Sequence, residues 1–450
     1  MKPRNWVILA SLLLVFARPA PAAGSHYVFA HYMVCYSDYG QSIAGYEHDI
    51  QDAQAAGVDG FALNLGAYDD PTQTYYNTNV ALIYAAAEQL GTGFKLFFSV
   101  DGITNTNVII DLVSTYAGRT NSFRYNGKLV LSTYTDNGAN WQNGVLSPLA
   151  NMGIKVFFVP NFMPPDNNTS DEVGLSNVLT AYPFVDGLFN FAVYTVANIT
   201  NGNAAYLQAC RNAGKLFMAG CSPTYWGAFQ YGASGRGYGE TDGGEGTIAQ
   251  WQWIIAHQPD WVEIVTWNDF NESTYSSPIV NPVQYESQLQ TPTRYCHAGY
   301  LALAQHYITW YKNGSEPGIN QDSVYYFYRT HSTNCVASAT NDPPVVLWPN
   351  NGPYLDDLFT TTFLTSPAQL VINSGGTLTT NVLAAGISSQ RTPFKPGAQT
   401  FTLLRAGTSP MTVQGPNILA SITNYDYFTA SGSATRPLAP ANLRVQNGQN

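Results

Sequence analysis

From Val28 to about Asn313, short apolar and β-branched runs alternate with longer segments whose apolar residues recur at helical spacing. The runs predict eight strands, at Val28–Cys35, Gly60–Leu65, Lys95–Val100, Leu129–Thr133, Val156–Pro160, Gly187–Phe191, Leu216–Ala219 and Val262–Trp267. The segments between them predict helices at Tyr46–Ala56, Asn79–Leu90, Val108–Ala117, Val145–Met152, Leu175–Ala181, Ala204–Ala213, Thr247–His257 and Arg294–Lys312. Gly57, Gly91, Gly153 and Gly214 stand where a left-handed C-cap belongs. Eight strand-then-helix units fit a closed parallel (β/α)8 TIM barrel better than an open doubly wound sheet. No Gly-rich phosphate loop follows the first strand, so a dinucleotide-binding version has no support. A partial echo, Val58-Asp59-Gly60 and Val185-Asp186-Gly187, leads twice from helix into strand, which puts both aspartates on the bottom face as turn residues.

After about Gln321 the helical period disappears. Short β-prone pieces follow at Val324–Arg329, Val345–Trp348, Asp357–Leu364, Gln369–Ile372, Gly376–Val382, Gly397–Leu404, Met411–Gln414 and Asn417–Ile422, which predicts a C-terminal antiparallel β-sandwich. At the other end, Lys2 and Arg4, an apolar run from Trp6 to Phe16 and small residues to Ala23 make the three-part pattern of a secretory signal peptide. The expected organisation is therefore a signal peptide over 1–23, a catalytic barrel over 24–318, an accessory β-sandwich over 319–430 and a flexible tail over 431–450. A secreted, extracellular protein follows, since no other apolar stretch reaches the roughly 18 residues a membrane span needs.

Charge narrows the partners. Only 11% of residues are charged and the formal net charge is −10, which disfavours nucleic acid and anionic membranes, because both need basic patches. A neutral partner is favoured, and a monomer is expected. Aromatic residues make up 14% of the chain, rings suited to stacking on sugars but equally to filling a large core. The five cysteines, Cys35, Cys210, Cys221, Cys296 and Cys335, show no metal or redox spacing; Cys296 with Cys335 is the pair expected to staple the two domains. Sequons begin at Asn167, Asn168, Asn198, Asn271 and Asn313. The seven histidines show no HxH or HExxH pattern, so no metal or cofactor is expected.

A barrel of this kind works at the carboxyl ends of its strands. There the sequence places His31, Asn64, Asp101, Asn161, Asn190 and the run Trp267-Asn268-Asp269, with Glu272 three residues on. Hydrolysis of an acetal needs one carboxyl to protonate the leaving oxygen and another to activate water. Asp101 and Asp269, at the ends of the third and eighth strands, stand three strands apart, roughly 13 Å between backbones. Inward side chains shorten that gap toward the ~6.5–9.5 Å of inverting enzymes. Each residue also has a plain structural reading: Asp101 as a helix N-cap, His31 as a satisfied core histidine, the aromatics as packing. Against packing, Tyr225, Trp226, Trp267 and Tyr275 are candidates for a sugar platform. Glu263 lies early on the eighth strand and its facing is open.

The residues in these places resemble glycoside hydrolase family 71, the fungal α-1,3-glucanases or mutanases. The likeness runs through Val28-Phe29-Ala30-His31-Tyr32-Met33-Val34, Gly57-Val58-Asp59-Gly60-Phe61-Ala62-Leu63-Asn64, Phe94-Lys95-Leu96-Phe97-Phe98-Ser99 and, most specifically, Glu263-Ile264-Val265-Thr266-Trp267-Asn268-Asp269-Phe270-Asn271-Glu272-Ser273. The resemblance implies endo-hydrolysis of α-1,3-glucan with inversion, with Asp101, Asp269 and Glu272 as catalytic set, Glu272 as acid and Asp269 or Asp101 as base. Phe270-Asn271 stands where Gly or Tyr-Gly is usual in the family, and Cys35 where a small residue is. The rival readings are a barrel glycosidase of another linkage and a non-catalytic wall polysaccharide-binding protein.

Overall fold

The computed structural model describes residues 26–136, 138–227, 236–278, 295–338, 345–347, 354–422 and 429–435. The expected signal peptide, the expected helix start at Arg294, Trp348 and residues 436–450 of the expected tail lie outside the described residues.

Eight parallel strands build one curled sheet: β1 (Tyr27–Met33), β2 (Gly60–Leu65), β3 (Lys95–Val100), β4 (Lys128–Thr133), β5 (Val156–Phe158), β6 (Gly187–Phe189), β7 (Leu216–Cys221) and β8 (Trp261–Ile264). Their order is β5-β4-β3-β2-β1-β8-β7-β6, so β1 and β8 are neighbours, in register from Tyr27↔Trp261 to Ala30↔Ile264. Between β5 and β6 there is no ladder; two backbone bonds, Asp186 N to Phe158 O (2.8 Å) and Phe189 N to Pro160 O (2.9 Å), span that edge. What is established is a mixed α/β layer with a curled sheet, coarser than the closed barrel expected.

Period-2 alternation sorts the strand residues into two layers. One side chain from each strand, Phe29, Ala62, Phe97, Val130, Phe157, Phe189, Met218 and Trp261, joins a single inner cluster. Their alternates, such as Ala30, Phe61, Leu63, Leu96 and Phe98, pack outward under helices α1 (Ile43–Ala55), α2 (Tyr75–Leu90) and α3 (Thr106–Tyr116). One step nearer the carboxyl ends the inner face turns polar, with His31, Asn64, Ser99 and Glu263, all buried.

The bottom aspartates hold strands. Asp59 accepts the Val28 N–H (2.9 Å) and the Lys312 ammonium (2.7 Å), while Asp186 accepts the Phe158 N–H (3.0 Å) and Lys128 (2.8 Å). Asp260 repeats the device on Phe217 N–H at 3.0 Å, so aspartates before β2, β6 and β8 each tie down the preceding strand. These bonds satisfy N–H groups that a strand end otherwise leaves open.

The remaining helices are α4 (Ser147–Asn151, entered through a π-helical turn at Trp141–Leu146), α5 (Glu172–Ala181), α6 (Val196–Ala213), α7 (Gly243–His257) and α8 (Ala298–Asn313). Helix α6 starts eight residues earlier than its apolar period suggests, because Thr195 caps it at Asn198 N–H (3.1 Å) and Asn203 points inward to Gly220 O (2.8 Å).

Beyond α8, strands β9 (Ser323–Arg329), β10 (Asp357–Leu364), β11 (Ala368–Ser374), β12 (Thr377–Leu383), β13 (Gly386–Pro393), β14 (Gly397–Leu404), β15 (Met411–Ile418) and β16 (Thr429–Thr435) form two antiparallel sheets, β13-β10-β9-β16 and β12-β11-β14-β15. They share a core of Val324, Tyr326, Leu358, Leu370, Ile372, Phe401 and Leu403, with Tyr326 stacked on Phe401 at 4.9 Å. Two strands escaped the sequence reading. β13 is polar and pairs with all of β10, while β16, built of small residues, pairs with β9 and runs from Thr429 to Thr435, past Ser431 where a loose tail was expected.

The expected Cys296–Cys335 staple is not formed, for all five cysteines are free. The seam between the two units is held by the buried Arg329 on Glu240 (2.5 Å), with Asp356 bracing the same guanidinium from within its own unit (2.9 Å), and by Gly244, where a side chain would meet Phe327.

Candidate active site

At the carboxyl ends of β8, β1, β2 and β3 four side chains meet in sequence. His31 Nδ1 lies 2.6 Å from Glu263 Oε1, both side chains wholly buried; His31 Nε2 lies 3.0 Å from Asn64 Nδ2, and Asn64 Nδ2 lies 3.4 Å from Asp101 Oδ2. Asp101 is only half-buried. Burial pushes the Glu263 carboxyl upward, opposed chiefly by the bond to His31.

Asp269 is 8% exposed. Its Oδ1 accepts the N–H groups of Asn271 (3.0 Å) and Glu272 (3.1 Å), and its own N–H donates to Thr266 Oγ1 (2.9 Å), so Asp269 shapes the turn that carries Glu272. Burial lifts its carboxyl to about 6; the two backbone bonds and the nearby His31 ring oppose this, and the charge of Asp101 adds to it. Asp101 and His31 both lie near enough to Asp269 to act on it. Cys35 feels both acids: burial first, then Asp269 and more weakly Asp101, pushes its thiol up to about 12. Glu272 is half-buried, its carbonyl bound by Trp226 N–H (2.8 Å). Beside it is Tyr194, whose hydroxyl burial and the Glu272 charge push up to about 12, and whose φ of 83° is unusual for a bulky residue.

The loop is riveted to β1. Trp267 N–H donates to His31 O (2.7 Å), and the Asn268 amide binds Met33 N–H (2.7 Å) and Met33 O (3.2 Å). The Trp267 indole donates to Asp49 Oδ1 (3.0 Å), and Tyr32 donates to Asp49 Oδ2 (2.9 Å). Asp49 lies beside the buried Asp38; burial raises both carboxyls, Asp49 to about 6, and the negative charge of Asp49 holds Asp38 higher still.

The residues expected to form a sugar platform are engaged as follows. Trp226 and Trp267 are fully buried, Asn268 is spent on Met33, and Tyr275 is stacked on His297 at 3.9 Å with its hydroxyl on Tyr295 O (2.5 Å). Tyr225 is buried edge-on to Tyr194. Asn161 holds Tyr134 O (2.8 Å) and Phe191 N–H (3.2 Å), while Asn190 donates to Asn203 (2.8 Å). These seven side chains are each buried and engaged by neighbouring residues of the fold. Asn271, also buried, donates its amide to the Tyr36 hydroxyl. The sequence reading left Glu263 open and missed Tyr194. Strand parity, counted from Trp261 and Phe29, would have turned Glu263 inward beside His31.

Carboxyl groups gathered at the strand ends of a curled α/β sheet are the equipment of a glycoside hydrolase. The chain belongs to glycosyl hydrolase family 71, which matches it over residues 24–441. It is similar to the glucan endo-1,3-alpha-glucosidase agn1 of Schizosaccharomyces pombe, 28% identical and covering 90% of this chain and 94% of that protein. A mutanase of Penicillium rubens is also 28% identical, covering 95% and 96%, and an ascus wall endo-1,3-alpha-glucanase of Schizosaccharomyces pombe is 27% identical, covering 89% and 96%. Among solved structures, an endo-alpha-mannosidase from Bacteroides thetaiotaomicron is similar over 64% of this chain and 98% of its own, with 15% identity and a TM-score of 0.49.

Proposed function

We propose that this protein is an endo-acting hydrolase of α-1,3-glucan that inverts the anomeric centre. The observation that supports the reading is that Asp269, at the end of β8, feels the charge of Asp101 at the end of β3 and binds the backbone N–H of Glu272 in the same turn, in a chain whose relatives are named for α-1,3-glucan hydrolysis. Glu272, more open than Asp269, protonates the leaving oxygen. Asp269 Oδ2, the oxygen not occupied by the turn, takes a proton from the attacking water, with Asp101 helping to hold that water. An Asp lifted to about 6 is a stronger base than an ordinary carboxylate once ionised, at the expense of needing a pH near or above that value. His31 and Asn64 line the floor of the same site.

The remaining expectations join this reading. The curled sheet works as a closed (β/α)8 barrel, the β-sandwich at 319–430 is an accessory unit, and the protein acts outside the cell as a monomer. Among the described residues no helix is long and apolar enough to cross a membrane.

Incubation with insoluble α-1,3-glucan, followed by NMR, is expected to release oligosaccharides whose first-formed reducing ends are β. First-formed α ends would overturn inversion, and no release would overturn the substrate. The split of roles is read with an α-glycosyl fluoride of a 1,3-linked disaccharide, whose leaving group needs no proton: Glu272→Gln keeps turnover there and Asp269→Asn loses it. The reverse result exchanges the two roles.

A further inference from the structure

We propose that Glu263 is a positioning residue for Asp101, acting through His31 and Asn64 along a hydrogen-bonded chain that crosses four neighbouring strands, β8, β1, β2 and β3. The inference rests on the reading of Asp101 as part of the reacting set, and it assigns a task to a carboxylate that the reaction does not otherwise use.

The direction of the chain follows from its ends. Asp101 as a carboxylate can only accept, so the Asn64 group facing it at 3.4 Å is the amide nitrogen. The same nitrogen lies 3.0 Å from His31 Nε2, and with one hydrogen aimed each way it requires Nε2 to be an acceptor. The His31 proton then sits on Nδ1, where Glu263 Oε1 receives it at 2.6 Å. Every donor meets an acceptor in this arrangement alone. If the proton moved to Nε2 it would oppose the Asn64 N–H; the amide would turn over and present its oxygen to Asp101, repelling the carboxylate it now steadies.

A second observation separates this from simple packing. Glu263 is wholly buried, yet its Oε2 has no hydrogen-bond partner among the described residues, and neither has Ser99 Oγ, inward-facing like Asn64 on the next strand. A buried carboxylate with one bare oxygen is a poor choice for stability, where an apolar residue serves as well or better. The titratable groups around the chain are Asp101 and Asp269, Cys35, which feels both of those acids, and Cys221, which feels Glu263.

The test reads the tautomer and the kinetics. In wild-type protein carrying 15N-labelled histidine, the ring nitrogens of His31, assigned by their loss in His31→Asn, are expected to show Nδ1 protonated and Nε2 bare. Glu263→Gln, which keeps an acceptor but no charge, is expected to lower kcat on α-1,3-glucan about tenfold with KM unchanged. Glu263→Leu, which keeps neither, is expected to lower kcat at least a hundredfold for the folded fraction. His31 found as the Nε2–H tautomer or as imidazolium in the wild type overturns the proposal without any variant, whether or not Glu263→Leu folds. So does a kcat within twofold of wild type in Glu263→Gln, even with a lowered melting temperature. Wild-type protein inactive on α-1,3-glucan would instead sink the substrate reading and leave the tautomer result standing on its own.

Discussion

Asp269→Asn should make the protein more stable at neutral pH while removing its activity. In the folded chain burial raises the ionisation of Asp269 from the ordinary 3.8 to about 6, so the fold holds the proton more tightly than the unfolded chain does. Below pH 4 both states are protonated and the residue is neutral in its effect. Between 4 and 6 the unfolded chain ionises first, and stability falls as pH rises. Above 6 the deficit is level, at most about 3 kcal/mol from a displacement of that size. Asparagine avoids this loss and keeps an oxygen for the N–H groups of Asn271 and Glu272. Melting temperatures of the two proteins between pH 4 and 8 should therefore coincide at the acid end and diverge through pH 6, the variant higher, while reducing-sugar release from α-1,3-glucan stops. A variant equally or less stable at pH 7.5, or a gap that does not depend on pH, would show that Asp269 is not held against its ionisation.

Three further outcomes follow from the geometry. Arg329→Met leaves Glu240 buried without its cation, and denaturant titration at pH 7 should show a loss of about 3–5 kcal/mol. Trp267→Phe removes the indole N–H from Asp49; unfolding should report about 1–3 kcal/mol lost. Because the next residues carry Asp269, kcat should fall as well, and an unchanged kcat would detach the loop from that anchor. Thiol titration in denaturant should count five cysteines, and three or fewer would restore a disulfide at Cys296, Cys335 or elsewhere.

The alternation of strand and helix was legible because parallel strands buried on both faces read as continuous apolar runs, and Gly60–Leu65 and Lys95–Val100 fall where the pattern puts them. The misses have physical causes. Strand β13 carries Ser-Ser-Gln-Arg-Thr, whose hydroxyls pair with Thr361 and Thr362 of β10 at 3.0 Å, so no apolar period marks it. The first turns of α6 read as a loop because Asn and Gly are weak helix formers; the Thr195 cap and the inward bonds of Asn203 explain their being helical.

The site divides in the same way. Acids at the ends of β3 and β8 could be found from position alone, since a carboxylate after a buried strand is expensive unless something uses it. Which aromatics face a sugar could not, because Trp267 is withdrawn by Asp49, 218 positions away in the chain. Glu263 shows the limit most sharply. Parity along β8 turns it inward with Trp261, and parity along β1 turns His31 inward with Phe29, so each orientation is local information. What joins them is the register of β1 on β8, set by a pairing of strands 232 residues apart, and only that register converts a costly buried acid into the partner of a histidine.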